Sequence, residues 1–129
     1  MSGTVCVANI TVGIEDESKF RDFEILGAML ETAIKAANLT KIGKAHVQPY
    51  ATKDPKKAHG LTIIQCLKES HSALETYPEK MLVEILVSSC RDFKMAALKA
   101  LMEPYSGWST VVDTMFVRRE NGQWKLSEE

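Results

Sequence analysis

The residues most able to do chemistry lie in one polar stretch, Lys68–Glu79. Its hydroxyl, imidazole and carboxylate side chains interrupt two of the most apolar runs in the sequence, Leu61–Leu67 and Met81–Val87. Both runs are short, contain β-branched residues and are bounded by turn formers, as buried strands are. We therefore expect the polar stretch to be a loop that joins two neighbouring central strands, where a rigid scaffold holds reactive groups.

Two residues of this region carry groups suited to covalent or proton-transfer chemistry. Ser70 lies in the polar stretch, and Cys90 ends the next predicted strand, Met81–Ser89. Strands that run side by side can bring two such positions together. By residue type alone, a turn serine and an inert buried thiol are the commoner cases. Residue type alone therefore does not show whether Ser70 and Cys90 have a chemical or a structural role, and the surrounding sequence is needed to decide.

The order of motifs around these residues resembles one family of enzymes. Glu69–His71, Thr76–Glu79 and Cys90 follow one another as in the bacterial and archaeal S-adenosylmethionine decarboxylase proenzymes. The similarity in element order runs from about Val5 to Val117, and the specific motif lies within Gly60–Cys90. The family is pyruvoyl-dependent and makes its cofactor from its own chain.

The resemblance implies that the chain cuts itself between Glu69 and Ser70 into two subunits. Ser70 would become a pyruvoyl group, a covalent cofactor that forms a Schiff base with the substrate amine and accepts the electrons left when carbon dioxide departs. Such chemistry needs neither a metal ion nor pyridoxal phosphate. The resemblance therefore implies a carboxy-lyase that acts on S-adenosylmethionine in the biosynthesis of spermidine and other polyamines.

The resemblance also implies roles for single residues. Cys90 is the expected proton donor, and Thr62 stands where the family has a serine that assists self-cleavage. Tyr77, His71 and Glu79 are the expected substrate-binding residues. Structural alternatives stay open: Thr62 suits strand geometry, a histidine in this setting is more often hydrogen-bonded structure, and Tyr77 could be a core aromatic with a solvated hydroxyl.

Glu75 departs from the family, which has a histidine at this position that takes part in the proton transfers of self-cleavage. A carboxylate whose pKa is raised by burial could act as the base. A carboxylate that faces the pocket would instead favour a cationic substrate group. Two alternatives for the protein follow. One is a decarboxylase of the same fold for ornithine or arginine, and the other is an uncleaved homologue that is not an enzyme.

Composition limits the remaining choices. The 129 residues, 45% hydrophobic and 26% charged, suit one domain, residues 1–129. A net charge of -1 argues against nucleic acid as a partner, and no apolar run is long enough to span a membrane. We expect a cytoplasmic protein with reduced thiols, no zinc site, and Cys6 and Cys66 in the core. The expected partner is a small amino-acid substrate.

Periodicity predicts the elements that position these residues. A strand at Val5–Val12 precedes a helix from about Lys19 to Ala37, and a weaker strand follows at Lys41–Tyr50. The two central strands come after a loop at Ala51–His59. A second helix begins at Arg91-Asp92 and ends at Glu103-Pro104. Beyond it we expect a strand at Ser109–Arg118, a turn at Asn121-Gly122 and a loosely held tail, Gln123–Glu129.

The order β-α-β-β-β-α-β has too few crossovers for a doubly wound sheet. It predicts an α+β fold, a two-layer α/β sandwich in which two helices cover one face of a mostly antiparallel sheet. The other face of the sheet then needs cover. The resemblance implies a homodimer of cleaved protomers with active sites close to the interface.

Overall fold

A seven-stranded antiparallel sheet forms the framework, with strand order β2-β3-β4-β5-β1-β6-β7. The computed structural model describes residues 5–51, 53, 59–100, 102–105 and 107–127. The strands are β1 (Val5–Ile14), β2 (His46–Tyr50), β3 (Gly60–Leu67), β4 (Ser70–Tyr77), β5 (Leu82–Ser89), β6 (Ser109–Glu120) and β7 (Gln123–Leu126). The helices are α1 (Phe23–Ala36) and α2 (Met95–Ala100), with short 3-10 turns at Glu17–Arg21, Pro78–Lys80 and Glu103–Tyr105.

Helix α1 carries the predicted apolar stripe but begins at Phe23 rather than at Lys19, because Glu17–Arg21 forms a separate 3-10 turn. The Asp22 carboxylate accepts from the Ile25 N–H and so caps the first turn. Asn38, with a φ of 59°, stops the helix in the left-handed conformation that asparagine tolerates. The buried side of the helix faces the sheet and consists of Leu26, Met29, Leu30, Ala33 and Ile34.

The two faces of the sheet differ in cover. Alternate residues of β1 from Cys6 to Ile14 and of β5 from Val83 to Ser89 are buried beneath the helices. Both helices lie on this face, because α1 contacts β4, β5 and α2. The opposite side, called here the open face, carries Thr62, Ile64, Cys66, His71, Ala73, Glu75, Tyr77, Glu84, Leu86, Asn9 and Met115. The predicted α+β fold is confirmed, but the sheet has two strands that the predicted order β-α-β-β-β-α-β lacks, and the second helix begins at Met95 rather than at Arg91.

The polar stretch is a strand, so the predicted loop is wrong. Only Lys68 and Glu69 form a turn, and Ser70–Tyr77 pairs with β3 on one side and β5 on the other. Within it Ser72 and Leu74 are buried while His71 and Glu75 are exposed. This alternation is that of a strand, but polar residues on both faces conceal it in the sequence.

The segment that follows β6 forms a strand, where the sequence predicts a loosely held tail. Asn121 and Gly122 form the predicted turn, with φ values of 52° and 77°. Two positive φ values suit a tight hairpin, and Gln123–Leu126 therefore pairs with β6 rather than hanging loose. The second strand is shorter than predicted, His46–Tyr50, and lies at the sheet edge. The predicted loop Ala51–His59 lies mostly outside the described residues.

Candidate active site

The predicted cleavage bond, Glu69–Ser70, lies at the tip of the β3–β4 hairpin. Leu67 and Ser70 form the last pair of the ladder. The segment before β2 holds this tip: the Thr40 N–H donates to the Glu69 carboxylate at 3.0 Å, and the Lys68 N–H donates to the Thr40 carbonyl at 3.0 Å. Thr40 therefore holds both residues of the turn, Lys68 and Glu69, and so fixes the backbone on the upstream side of Ser70.

The carbonyl group of Glu69 has a donor on its oxygen. The Cys90 N–H donates to it across 3.0 Å. The register explains this contact, since Ser70 pairs with Ser89 and Cys90 is the next residue after β5. A fixed N–H on a carbonyl oxygen stabilises negative charge that develops there during attack on the carbon. The structure thus brings Glu69, Ser70 and the exposed Cys90 together.

The Ser70 hydroxyl is exposed and has two polar neighbours. It donates to the Ser88 Oγ at 3.3 Å, and the Nδ1 of His71 lies 3.2 Å from it. Nδ1 can accept the hydroxyl proton when that nitrogen carries none. We call this group, Glu69, Ser70, His71, Ser88 and Cys90, the Ser70 end of the hairpin.

A second group lies at the other end of β4. Thr62 faces Glu75 across the β3–β4 pair, and the Tyr77 hydroxyl donates to the Glu75 carboxylate at 2.6 Å. The bond to Glu75, together with burial, raises the pKa of Tyr77 to about 12. Glu79 lies in the following 3-10 turn and accepts from the Lys53 N–H at 2.9 Å. We call Thr62, Glu75, Tyr77 and Glu79 the Tyr77 end.

A cavity of about 410 Å³ lies at the Tyr77 end. Its lining is Tyr50, Thr62, Glu75, Thr76, Tyr77, Pro78, Glu79 and Lys80. A second cavity, of about 290 Å³, reaches from His71 to Glu75 along the open face and is lined also by Asn9, Ile64, Ala73, Glu84 and Leu86. The open face therefore provides a groove between the two ends.

The two ends do not meet within one chain. Ser70 and Glu75 are five residues apart on one strand, which at roughly 3.3 Å per residue separates them by about 17 Å. Thr62 is equally distant, because it pairs with Glu75. The structure thus joins Ser70 to Cys90 as the sequence predicts, but it places Thr62 and Glu75 away from the predicted cleavage bond.

Three residues near these groups were not predicted as site residues: Cys66, Glu84 and Ser88. Cys66 is exposed and faces His71, so its assignment to the core is wrong, whereas Cys6 is buried as predicted. The run that contains Cys66 has two polar residues, Thr62 and Gln65, which lie on opposite faces of a strand, so the sequence does not show which face is buried. Glu84 pairs with Glu75, which sets two carboxylates side by side.

Within the described ranges, no group of three or more histidine, cysteine, aspartate or glutamate side chains is arranged to hold a metal ion. In the same part of the chain, no helix has the length and apolar character required to cross a membrane.

Comparison with known proteins gives one consistent family. The profile of the S-adenosylmethionine decarboxylase family matches residues 8–116. The S-adenosylmethionine decarboxylase proenzyme of Aquifex aeolicus is 36% identical over 77 residues, 60% of this chain and 52% of the relative. That of Archaeoglobus fulgidus is 28% identical over 95 residues, 72% of this chain and 78% of the relative. The match thus spans about half the length of the Aquifex relative.

A solved structure extends the likeness to the whole fold. The crystal structure of the adenosylmethionine decarboxylase from Aquifex aeolicus superposes with a TM-score of 0.60 at 27% identity, covering 99% of this chain and 96% of the other. The family profile covers far more than half of the residues, among them the whole β3–β4 hairpin and Cys90. The chain belongs to the S-adenosylmethionine decarboxylase family.

Proposed function

We propose that the chain is the proenzyme of a pyruvoyl-dependent decarboxylase that acts on S-adenosylmethionine in polyamine biosynthesis. One observation carries the proposal: the Cys90 N–H lies on the Glu69 carbonyl oxygen, next to the Ser70 hydroxyl. Nucleophile, acceptor and charge-stabilising donor are then adjacent before any ligand binds. The relatives in Aquifex and Archaeoglobus carry the name proenzyme, which agrees with a chain that is processed.

Self-cleavage starts at the Ser70 hydroxyl. Its oxygen attacks the Glu69 carbonyl carbon while Nδ1 of His71 accepts the hydroxyl proton. The Cys90 N–H stabilises the negative charge on the carbonyl oxygen. The amide C–N bond then breaks as the protonated His71 gives its proton to the Ser70 nitrogen, and an ester joins Glu69 to the Ser70 oxygen. A solvent base then removes the Ser70 Cα proton, and β-elimination breaks the Cβ–Oγ bond and frees the Glu69 carboxylate. Addition of water to the resulting dehydroalanine releases ammonia and leaves the pyruvoyl group.

The residues at the Ser70 end fit a pyruvoyl group at position 70. It would stand at the exposed start of β4, beside Cys90, where a substrate can enter from solvent. The group supplies an electron sink for decarboxylation. Cys90 would return a proton to the substrate carbon, and a thiol on an exposed strand end can reach a ligand there. The single domain 1–129 would stay together after the cut, because β3 and β4 remain paired.

The Tyr77 end would bind the remainder of the substrate. The Tyr77 ring offers a stacking surface for the adenine base, and the Glu75 and Glu79 carboxylates line the same cavity. A sulfonium cation is favoured next to such carboxylates. Because Glu75 lies about 17 Å along the strand from Ser70, we assign it to substrate binding rather than to cleavage of its own chain.

One substrate must contact both the Ser70 end and the Tyr77 end. A second copy of the chain would supply the end that lies too far away in the first copy. Two chains packed with their open faces together and their β4 strands antiparallel would place the Tyr77 end of one beside the Ser70 end of its partner, as two-fold symmetry allows. The large apolar side chains Ile64 and Met115 on the open face are 42% and 46% exposed, which supports such cover. A cytoplasmic location stays a prediction from the sequence.

Mass spectrometry of the intact purified protein tests the proposal. We expect two fragments separated at Glu69–Ser70, the downstream one with a ketone that borohydride reduces, and carbon dioxide release from S-adenosylmethionine. The Ser70→Ala variant should remain one chain, since it lacks the nucleophile. A wild-type chain that stays intact after long incubation would refute the proposal and favour the uncleaved homologue.

The acidic pair supports a second candidate substrate class. Glu75 and Glu84 face each other on adjacent strands of the open face, and such like charges are unfavourable unless a cation lies near them. The side-chain ammonium of ornithine or guanidinium of arginine would satisfy both carboxylates. Carbon dioxide release from S-adenosylmethionine, ornithine, arginine and lysine, each offered alone to cleaved protein, decides between these classes.

A further inference from the structure

Ser89 closes the turn that carries Cys90. Its hydroxyl donates to the Arg91 carbonyl and accepts from the Arg91 N–H, both across 2.8 Å. The side chain is fully buried at the end of β5, paired in register with Ser70 on one side and Cys6 on the other. One hydroxyl thus bridges both backbone groups of Arg91, and Cys90 lies between the two bridged residues.

A second set of contacts holds the chain just beyond this turn. The Arg118 guanidinium on β6 contacts the Asp92 carboxylate at 2.9 Å, and it donates to the Phe93 carbonyl at 3.3 Å. The Cys6 thiol donates to the same carboxylate at 3.2 Å. Burial acts to raise the pKa of Asp92, but Cys6 and Arg118 outweigh it and lower that pKa. Asp92 is therefore a carboxylate at neutral pH, tied to both β1 and β6.

We infer that Ser89, with the Asp92–Arg118 ion pair behind it, positions Cys90 so that the Cys90 N–H stays on the Glu69 carbonyl oxygen. Cys90 itself is exposed and has left the β5 ladder, so the contacts of its neighbours Ser89 and Asp92 hold its backbone. The inference rests on the proposed self-cleavage for its consequence: loss of the Ser89 hydroxyl should slow the cut. The positioning itself can be measured without any cleavage.

Hydrogen exchange of the Cys90 amide, followed by NMR in the Ser70→Ala chain, measures the positioning directly. Its rate is taken relative to the Leu74 amide, so that a general loss of stability cancels. We expect Ser89→Ala to raise this ratio at least tenfold and Ser89→Thr, which keeps a hydroxyl, to restore it. Asp92→Asn should raise it about threefold. A ratio in Ser89→Ala within twofold of the parent would overturn the inference.

Ser72→Ala is the matched control. Ser72 is also a fully buried serine on the helix-covered face, one strand away, and its hydroxyl has no partner among the described residues. Its removal should leave the Cys90 exchange ratio unchanged. An equal rise in Ser72→Ala would show a general effect of removing a buried hydroxyl and would also overturn the inference.

The consequence is tested in chains that keep Ser70. Ser89→Ala should slow cleavage about tenfold at every pH, while Ser89→Thr and Ser72→Ala should cleave at the parent rate. If Cys90 exchange rises but cleavage keeps its rate, the positioning does not serve the reaction and the inference fails. If even the parent chain does not cleave, the proposed function fails, whereas the exchange ratio still decides whether Ser89 positions Cys90.

Discussion

The two ends of strand β4 are held in different ways. At the Ser70 end, backbone N–H groups of Thr40 and Cys90 fix Glu69 through its carboxylate and its carbonyl. At the Tyr77 end, side chains make the contacts: the Tyr77 hydroxyl bonds to Glu75, and the Tyr50 hydroxyl bonds to the Thr76 carbonyl. The backbone contact from Cys90 to the Glu69 carbonyl survives most substitutions, whereas the side-chain contacts at the Tyr77 end change with them.

This difference fits two kinds of task. The proposed self-cleavage needs groups of one chain in a fixed geometry, and strand register together with the Cys90 turn would supply that geometry at the Ser70 end. Substrate recognition needs side chains that can vary, and the Tyr77 end offers an aromatic ring and carboxylates around a cavity. The departure at Glu75 falls at the variable end. We therefore expect changes at the two ends to affect different steps.

Dimers made of two different variant chains should show the largest effect of the difference between the two ends. Ser70→Ala chains lack the cofactor, and chains with Tyr77→Ala and Glu79→Ala lack the binding end, so each alone should show little turnover. If the ends of two copies combine, co-expression should restore about one quarter of wild-type activity, because random pairing makes about half of the dimers mixed with one intact site each. Carbon dioxide release from the purified mixture measures it. No recovery would place both ends in one chain's site.

Cys90→Ala should separate turnover from folding at the Ser70 end. The variant keeps the backbone N–H on Glu69 and should therefore still cleave, but turnover should fall about 100-fold, as loss of a general acid does. Single-turnover carbon dioxide release measures the chemical step, and thermal unfolding checks the fold. Cys66→Ser, another exposed cysteine at this end, is the control and should keep full activity. Equal losses in both would remove the special role of Cys90.

Glu75→Gln tests whether the Tyr77 end binds substrate. Cleavage should keep its rate, and KM should rise about tenfold, since a hydrogen bond or contact to a charged group contributes about 1.5 kcal/mol. Steady-state kinetics with S-adenosylmethionine measures the change. Glu75→His should cleave at the same rate as well. Slower cleavage in Glu75→Gln that Glu75→His restores would instead make Glu75 part of self-cleavage.

The Glu75→Gln substitution should also change the pKa of the Tyr77 hydroxyl. The pKa of Tyr77 is raised to about 12 chiefly by its bond to Glu75, so Glu75→Gln should lower it toward the ordinary value of 10.0. Ultraviolet absorbance of tyrosinate measures this. Because the folded pKa lies above the unfolded one, the bond stabilises the fold below pH 10 and this contribution is lost as pH rises through about 12. A Tyr77 pKa that Glu75→Gln leaves unchanged would contradict this coupling.

Strand pairing explains what the sequence could and could not predict. The stripe of α1 and the alternation of β1 are local patterns, and they predict the α+β class correctly although the predicted order of elements lacks two of the seven strands. Strand β4 was not predicted, because both of its faces carry polar residues and the sequence therefore shows no clear alternation. Its strand conformation is evident only from its pairing with β3 and β5. The exposure of Cys66 was not predicted because the polar residues of its run, Thr62 and Gln65, lie on opposite faces and do not show which face meets the helices.

The sequence by itself determined most of the local elements, which follow from short-range periodicity, and the family motif, which implies that Cys90 lies near Ser70. Only the tertiary structure decided that Glu75 and Thr62 pair about 17 Å from Ser70, because distance along a strand of about 3.3 Å per residue adds up within the ladder. It also decided that the Cys90 N–H meets the Glu69 carbonyl. That contact depends on the register of β4 against β5, which residue types alone do not specify.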